Sequence, residues 1–165
     1  MEFLSALGQQ VAQQTVNGLT LGATYALIAL GYTMVYGIIQ LINFAHGEVY
    51  MIGAFAGLIM VTVYEANFFV ALLVAVLVCM PLAAIIERVA YRPLRNSTRL
   101  APLISAIGVS IFLQTLITLI AGPNPKGFPT IIPDTVYLLG PVKFSLVQVI
   151  ILLVASFLMV ALNLI

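Results

Sequence analysis

The chain has 165 residues, 63% hydrophobic and 7% charged, with a formal net charge of +1. Those proportions lie far outside the range of soluble globular domains and indicate an integral membrane protein. Without a basic stripe or a charge excess there is nothing to attract nucleic acid, and that partner class is set aside.

The amino terminus carries no basic region ahead of a short apolar run, so its first apolar segment is expected to be a permanent helix and not a cleaved signal. A membrane helix needs about 20 predominantly apolar residues. Five stretches qualify: roughly 14 to 36, 42 to 64, 68 to 87, 101 to 121 and 145 to 165. The runs are long and do not alternate, which predicts an all-α polytopic bundle of about five transmembrane helices and not a barrel. We expect one transmembrane domain over 1–165, with a cytoplasmic loop at 88–100 and an extracytoplasmic loop at 122–144.

In the first span Gly18, Gly22 and Ala26 recur every four residues and leave a shallow groove in which a neighbouring helix can pack. Asn17, Thr20 and Thr24 share one face, where they either hydrogen-bond across helices or line a wet path.

The second span contains His46, the only histidine, and Glu48, one of five acidic residues. Ionisable groups at membrane depth are costly and mark functional sites. On a regular helix Asn43, His46, Tyr50 and Gly57 fall in one narrow arc, and Gly53 with Gly57 forms a second small-residue pair. Asn43, His46, Glu48 and Tyr50 are therefore the candidates for a translocation pathway or polar gate. Glu48 lies about 200° around the helix from His46, so the two cannot pair unless the helix breaks near Gly47. Otherwise Glu48 meets another partner, such as an arginine of the inner loop or another subunit. It also lies only about 8 Å of rise from the presumed inner end, close enough to snorkel to water or to form a structural ion pair.

In the third span Pro81 removes a backbone donor and is expected to kink the helix one turn before its end. Cys79 reads as a buried small hydrophobe. Four of the six basic residues, Arg88, Arg92, Arg95 and Arg99, follow this span. They mark its connection to the fourth span as cytoplasmic, in contact with lipid headgroups. By parity Gln40 and Asn43 lie near the inner surface, whereas the amino terminus, the Glu65 turn and residues 122–144 lie outside. That outer segment holds five of the eight prolines, together with Lys126, Asp134 and Lys143, and should form no regular helix. It either packs on the surface or meets a docking protein. The last span stops at Ile165 without an anchor or a cap, as expected of a truncated chain.

Catalysis fits poorly. No H-E-x-x-H, no second histidine for a metal site and no G-x-S-x-G occurs, and a phosphate-binding G-x-x-x-x-G-K-[ST] is missing. No cofactor is implied, and energy for pumping would have to come from elsewhere.

The run NGLTLGATYALIALGYTMVYGIIQLINFAHGEVYMIGAF, followed by ERVAYRPLR and LISAIGVSIFLQ, closely resembles the amino-terminal half of bacterial branched-chain amino acid permeases of the LivH type, the membrane subunits of an ABC importer. The likeness extends in order from about Asn17 to Gln114. It implies a permease in the bacterial cytoplasmic membrane that works with a second permease, cytoplasmic ATPase subunits and a periplasmic or extracellular solute-binding protein, importing branched-chain amino acids or a related small solute. The motif carries Asn43, Phe44, Ala45, His46, Gly47 and Glu48, without assigning a substrate contact to any of them. Permeases of this type are much longer and engage the ATPase through their second half. Two other functions compete with this one: a membrane assembly subunit that does not transport, and a secondary transporter driven by protons through His46 and Glu48.

Overall fold

The computed structural model describes residues 2–39, 42–98, 100–131, 135–139 and 142–163. Among these are the helices α1 (Glu2–Ile39), α2 (His46–Thr62), α3 (Phe68–Ile86), α4 (Leu100–Ala121) and α5 (Leu146–Asn163), with a hairpin of β1 (Val136–Leu139) and β2 (Val142–Ser145). They form two compact units, one of Met1–Thr33 with Ile132–Ile165 and one of Met34–Ile131.

In the second unit the helix ends follow local chemistry. α2 stops where Glu65 adopts φ 49° and the Ala66 N–H reaches back to the Met60 carbonyl at 3.0 Å, a Schellman closure with glutamate in the place usually taken by glycine. Asn67 caps α3 by accepting the Val70 N–H at 2.9 Å. α3 continues through Pro81 to Ile86, then widens into a π-turn (Glu87–Tyr91) and tightens into a 3-10 turn (Arg92–Leu94). These turns begin the ordered connection expected over 88–100. Arg88, Arg92 and Arg95 are exposed on it, whereas Arg99 lies outside the described residues, as do Gln40, Asp134 and Ile165. At the far end of α4, Gly122 has φ +84° and its N–H bonds the Thr118 carbonyl at 2.9 Å.

Packing is inverted relative to a soluble protein. Buried positions are held by small residues such as Ala45, Ala71 and Ala106, and no large side chain among the described residues is fully buried. Phe69 and Leu119 are 77% and 78% exposed on the outside. Small residues inside bring backbones close where no hydrophobic force between helices is available, and large apolar residues outside suit lipid or other helices. The segments Leu7–Gly37, Phe68–Leu94 and Leu100–Ala121 are long and apolar enough to cross a membrane, whereas α2 and α5 are shorter apolar helices. The 17 residues of α2 rise about 25 Å, less than the hydrocarbon thickness.

In the first unit the hairpin pairs Val136 with Ser145 and Leu139 with Val142. The proline-rich segment is therefore not wholly irregular: the strands occupy the proline-free stretches on either side of residues 140–141. The Gln13 side chain engages Lys143 twice, donating to its carbonyl at 3.0 Å and accepting its N–H at 2.8 Å. Asn17 Oδ1 accepts from Gln13 at 3.3 Å and from Gln148 of α5 at 3.2 Å. α5 opens with a capping box, in which Ser145 Oγ accepts the Val147 N–H and Gln148 accepts the Ser145 N–H. Of the polar face expected on the first span, Asn17 alone makes such a bond across helices. Thr20 and Thr24 instead donate to the Val16 and Thr20 carbonyls of their own helix. A Cβ added at Gly18 or Gly22 would meet no atom within 4 Å, so among the described residues nothing packs against these two glycines, and Ala26 is half-buried.

Candidate functional site: the start of α2

The interruption expected near Gly47 lies just before it. Residues 42–45 are not helical, and α2 is continuous from His46 through Gly47 to Thr62. Asn43 organises the break. Its Oδ1 accepts the Ala45 N–H at 3.0 Å, an Asx turn, and its main-chain carbonyl accepts the His46 N–H at 3.1 Å. Ala45, completely buried, has no side-chain cap to offer α2, and Asn43 serves from two residues upstream. The Tyr91 hydroxyl, brought in by the π-turn after α3, donates to the same Asn43 oxygen at 2.5 Å. Asn43 therefore leaves the arc expected to hold it with His46, Tyr50 and Gly57, because the chain is not helical there.

Glu48 falls in the first turn of α2, where the partial positive charge of the helix end favours a carboxylate. Its side chain turns to α4. Ser110 Oγ and Gln114 Nε2 both donate to Oε1, at 2.9 Å and 2.6 Å. The second oxygen, Oε2, makes no hydrogen bond to the described residues. The partners of Glu48 among the described residues are thus neutral donors, and Arg88, Arg92 and Arg95 are not among them.

The same two partners fix the level of Glu48 along α4. Ser110 and Gln114 are the eleventh and fifteenth residues of the 22-residue α4, so Glu48 lies about 15 to 20 Å along that helix from its arginine-bearing end. The Cys79 thiol, midway along α3, reaches the Val49 carbonyl at 3.3 Å and places the start of α2 at a similar level. The cause is the break itself: with residues 42–45 out of the helix, α2 starts inside the bundle. Broken helices whose ends meet a polar site at mid-membrane are a recurring transporter device.

Tyr50 points elsewhere, 55% exposed at the rim of an apolar groove of about 400 Å³ between α2 and α3. Gly53, Ala54, Gly57, Ala71 and Met80 also line it. Gly53 and Gly57 are buried where the two helices approach. A Cβ at Gly53 would fall 2.6 Å from Cys79 Sγ, whereas one at Gly57 would find its nearest atom, the Ala71 carbonyl oxygen, at 3.9 Å. His46 is half-buried at the first position of α2.

Ser110, Gln114 and Tyr91 were not singled out from the sequence. Ser110 and Gln114 carry a signal there, being polar residues four apart in the middle of a mostly apolar helix and so on one face. Tyr91 carries none, since its reach depends on the π-turn. No group of three or more His, Cys, Asp or Glu side chains placed to hold a metal occurs among the described residues.

The chain matches, over residues 14–164, the family described as branched-chain amino acid transport system / permease component. It is 46% identical over 164 residues to the high-affinity branched-chain amino acid transport system permease protein BraD of Pseudomonas aeruginosa, an overlap covering 92% of this chain and 53% of that protein. It is 53% identical over 127 residues to LivH of Escherichia coli K12 and to LivH of Salmonella typhimurium, proteins with the same descriptive name, covering 72% of this chain and 41% of each. The chain thus spans about half the length of the curated relatives it matches. No solved structure matches it.

Proposed function

The chain belongs to the branched-chain amino acid transport permease family, and from that premise we propose that it acts as a membrane subunit of an ABC importer for branched-chain amino acids or a closely related solute. It is a transport subunit and not an enzyme, located in the bacterial cytoplasmic membrane with the arginine-bearing turn after α3 on the inner side. Its partners are a second permease, cytoplasmic ATPase subunits that supply the energy, and an extracytoplasmic solute-binding protein.

The observation that supports a route through this chain is the half-buried Glu48 carboxylate at the start of α2, oriented through Oε1 by Ser110 and Gln114. A carboxylate held by one oxygen leaves the other available to an ammonium group, the charge every amino acid presents. Asn43, His46 and Glu48 form the polar part of the route, and the small residues Gly18, Gly22 and Ala26 form a face for a helix of another segment or subunit.

Copurification in detergent from the native organism, with the tag placed at the chromosomal locus, tests the assembly. A second permease and an ATPase should be recovered with the tagged chain. Recovery of the chain without an ATPase contradicts the importer reading and favours an assembly subunit that does not transport.

A further inference from the structure

The Tyr91 hydroxyl links two features that are far apart in sequence, the turn that carries the arginines and the break that starts α2. Tyr91 is 5% exposed and is the last residue of the π-turn. That turn is anchored on its other side as well, since the Ala90 carbonyl accepts from Ser105 Oγ of α4 at 3.0 Å. Arg88 lies within the turn and Arg92 follows it directly. On the far side of the Tyr91 contact, Asn43 sets the first residues of α2 through both its side-chain and its main-chain oxygens. A π-turn, here at the end of α3, is rare and is frequently found at functional sites.

We propose that Tyr91 is a positioning residue of the permeation route: by holding Asn43 Oδ1 it fixes the start of α2 to the arginine-bearing turn, so that the turn and the Glu48 site keep one geometry. The proposal rests on the permease reading for its consequence in transport, but the contact can be tested without it. When Tyr91 is replaced by phenylalanine the ring still fills its buried site and the hydroxyl alone is lost. The Asx turn then keeps one donor to Asn43, the Ala45 N–H, and loses the tie to the π-turn. The start of α2 opens more often, by about fivefold for one neutral hydrogen bond.

The test is a double-mutant cycle of Tyr91→Phe and Asn43→Ala at the chromosomal locus, so that all native segments and partners are present. In a Cys79→Ala background, Ala45→Cys, completely buried while the start of α2 is closed, reports opening through its labelling rate with a membrane-impermeant maleimide in inverted vesicles, and uptake is measured in parallel. We expect Tyr91→Phe to raise labelling about fivefold at unchanged membrane abundance, and to raise it no further once Asn43 is alanine. Effects that multiply independently, or a labelling rate that Tyr91→Phe leaves unchanged, overturn the proposal. If labelling follows the cycle but the unmodified strain shows no uptake attributable to this chain, the permease reading fails and the contact stands. If labelling follows the cycle and uptake is normal in Tyr91→Phe, the positioning role in transport is refuted.

Discussion

The closest approach of α2 to α3 makes a numerical prediction at Gly53. A Cβ added there would lie 2.6 Å from Cys79 Sγ, about 1 Å inside ordinary van der Waals contact. Either the thiol rotates away and gives up the Val49 carbonyl, or the helices separate. Over-packing of this kind costs about 1–3 kcal/mol, while replacing glycine by alanine within a helix returns about 1 kcal/mol. Gly53→Ala should therefore destabilise by roughly 1 kcal/mol net. Gly57 provides an internal comparison. Its added Cβ would meet the Ala71 carbonyl oxygen at 3.9 Å, an ordinary contact, so Gly57→Ala should stabilise by up to about 1 kcal/mol. Reversible unfolding in mixed micelles, followed by far-ultraviolet circular dichroism, measures both. Combining Gly53→Ala with Cys79→Ala should remove the penalty, because the next atom, the Ala75 carbonyl oxygen, lies 3.9 Å away. Equal effects at the two glycines, or a Gly53→Ala penalty that persists without the thiol, would refute the packing argument.

Glu48→Gln retains an acceptor for Ser110 and Gln114 but loses the charge, so uptake should fall at least tenfold while membrane abundance stays nearly constant; equal losses of both would make Glu48 structural. Asn67→Ala removes the cap that accepts the Val70 N–H and should cost about 1 kcal/mol in the same unfolding measurement, with Asn67→Ser recovering most of it. Cysteines placed at Asn96 and Asn124, in a Cys79→Ala background, should be labelled from the inside and from the outside respectively, and the opposite pattern would reverse the topology.

The helices were legible because their apolar runs are long, although α1 begins at Glu2, well ahead of the expected 14, and the caps that set the other ends were not read from the sequence. Asn67 and Gly122 stand where α3 starts and α4 stops, and each acts through its own neighbouring backbone. Family membership was legible in three ordered motifs, which the match over residues 14–164 extends almost to the end of the chain. The hairpin was harder to see, since four-residue strands between prolines leave little room for alternation to show. At the site, helical rotation assigns His46 and Glu48 to different faces of α2. It could not supply the partners of Glu48, because Ser110 and Gln114 are more than 60 residues away and the pairing depends on how α2 meets α4. Nor could it place the break at residues 42–45 and not at Gly47. Glycine marks where a helix can yield, but here Asn43 offers the chain an alternative set of hydrogen bonds, and it is there that the helix is interrupted.

Uptake of labelled leucine under separated energy sources tests the account most directly. In native cells, compared with cells in which this locus is deleted, the uptake that depends on the chain should disappear when ATP is depleted. It should persist when the proton gradient is collapsed with ATP maintained. Uptake that survives ATP depletion and stops with the proton gradient would contradict an ATP-driven importer and make His46 and Glu48 part of a proton-coupled transporter instead.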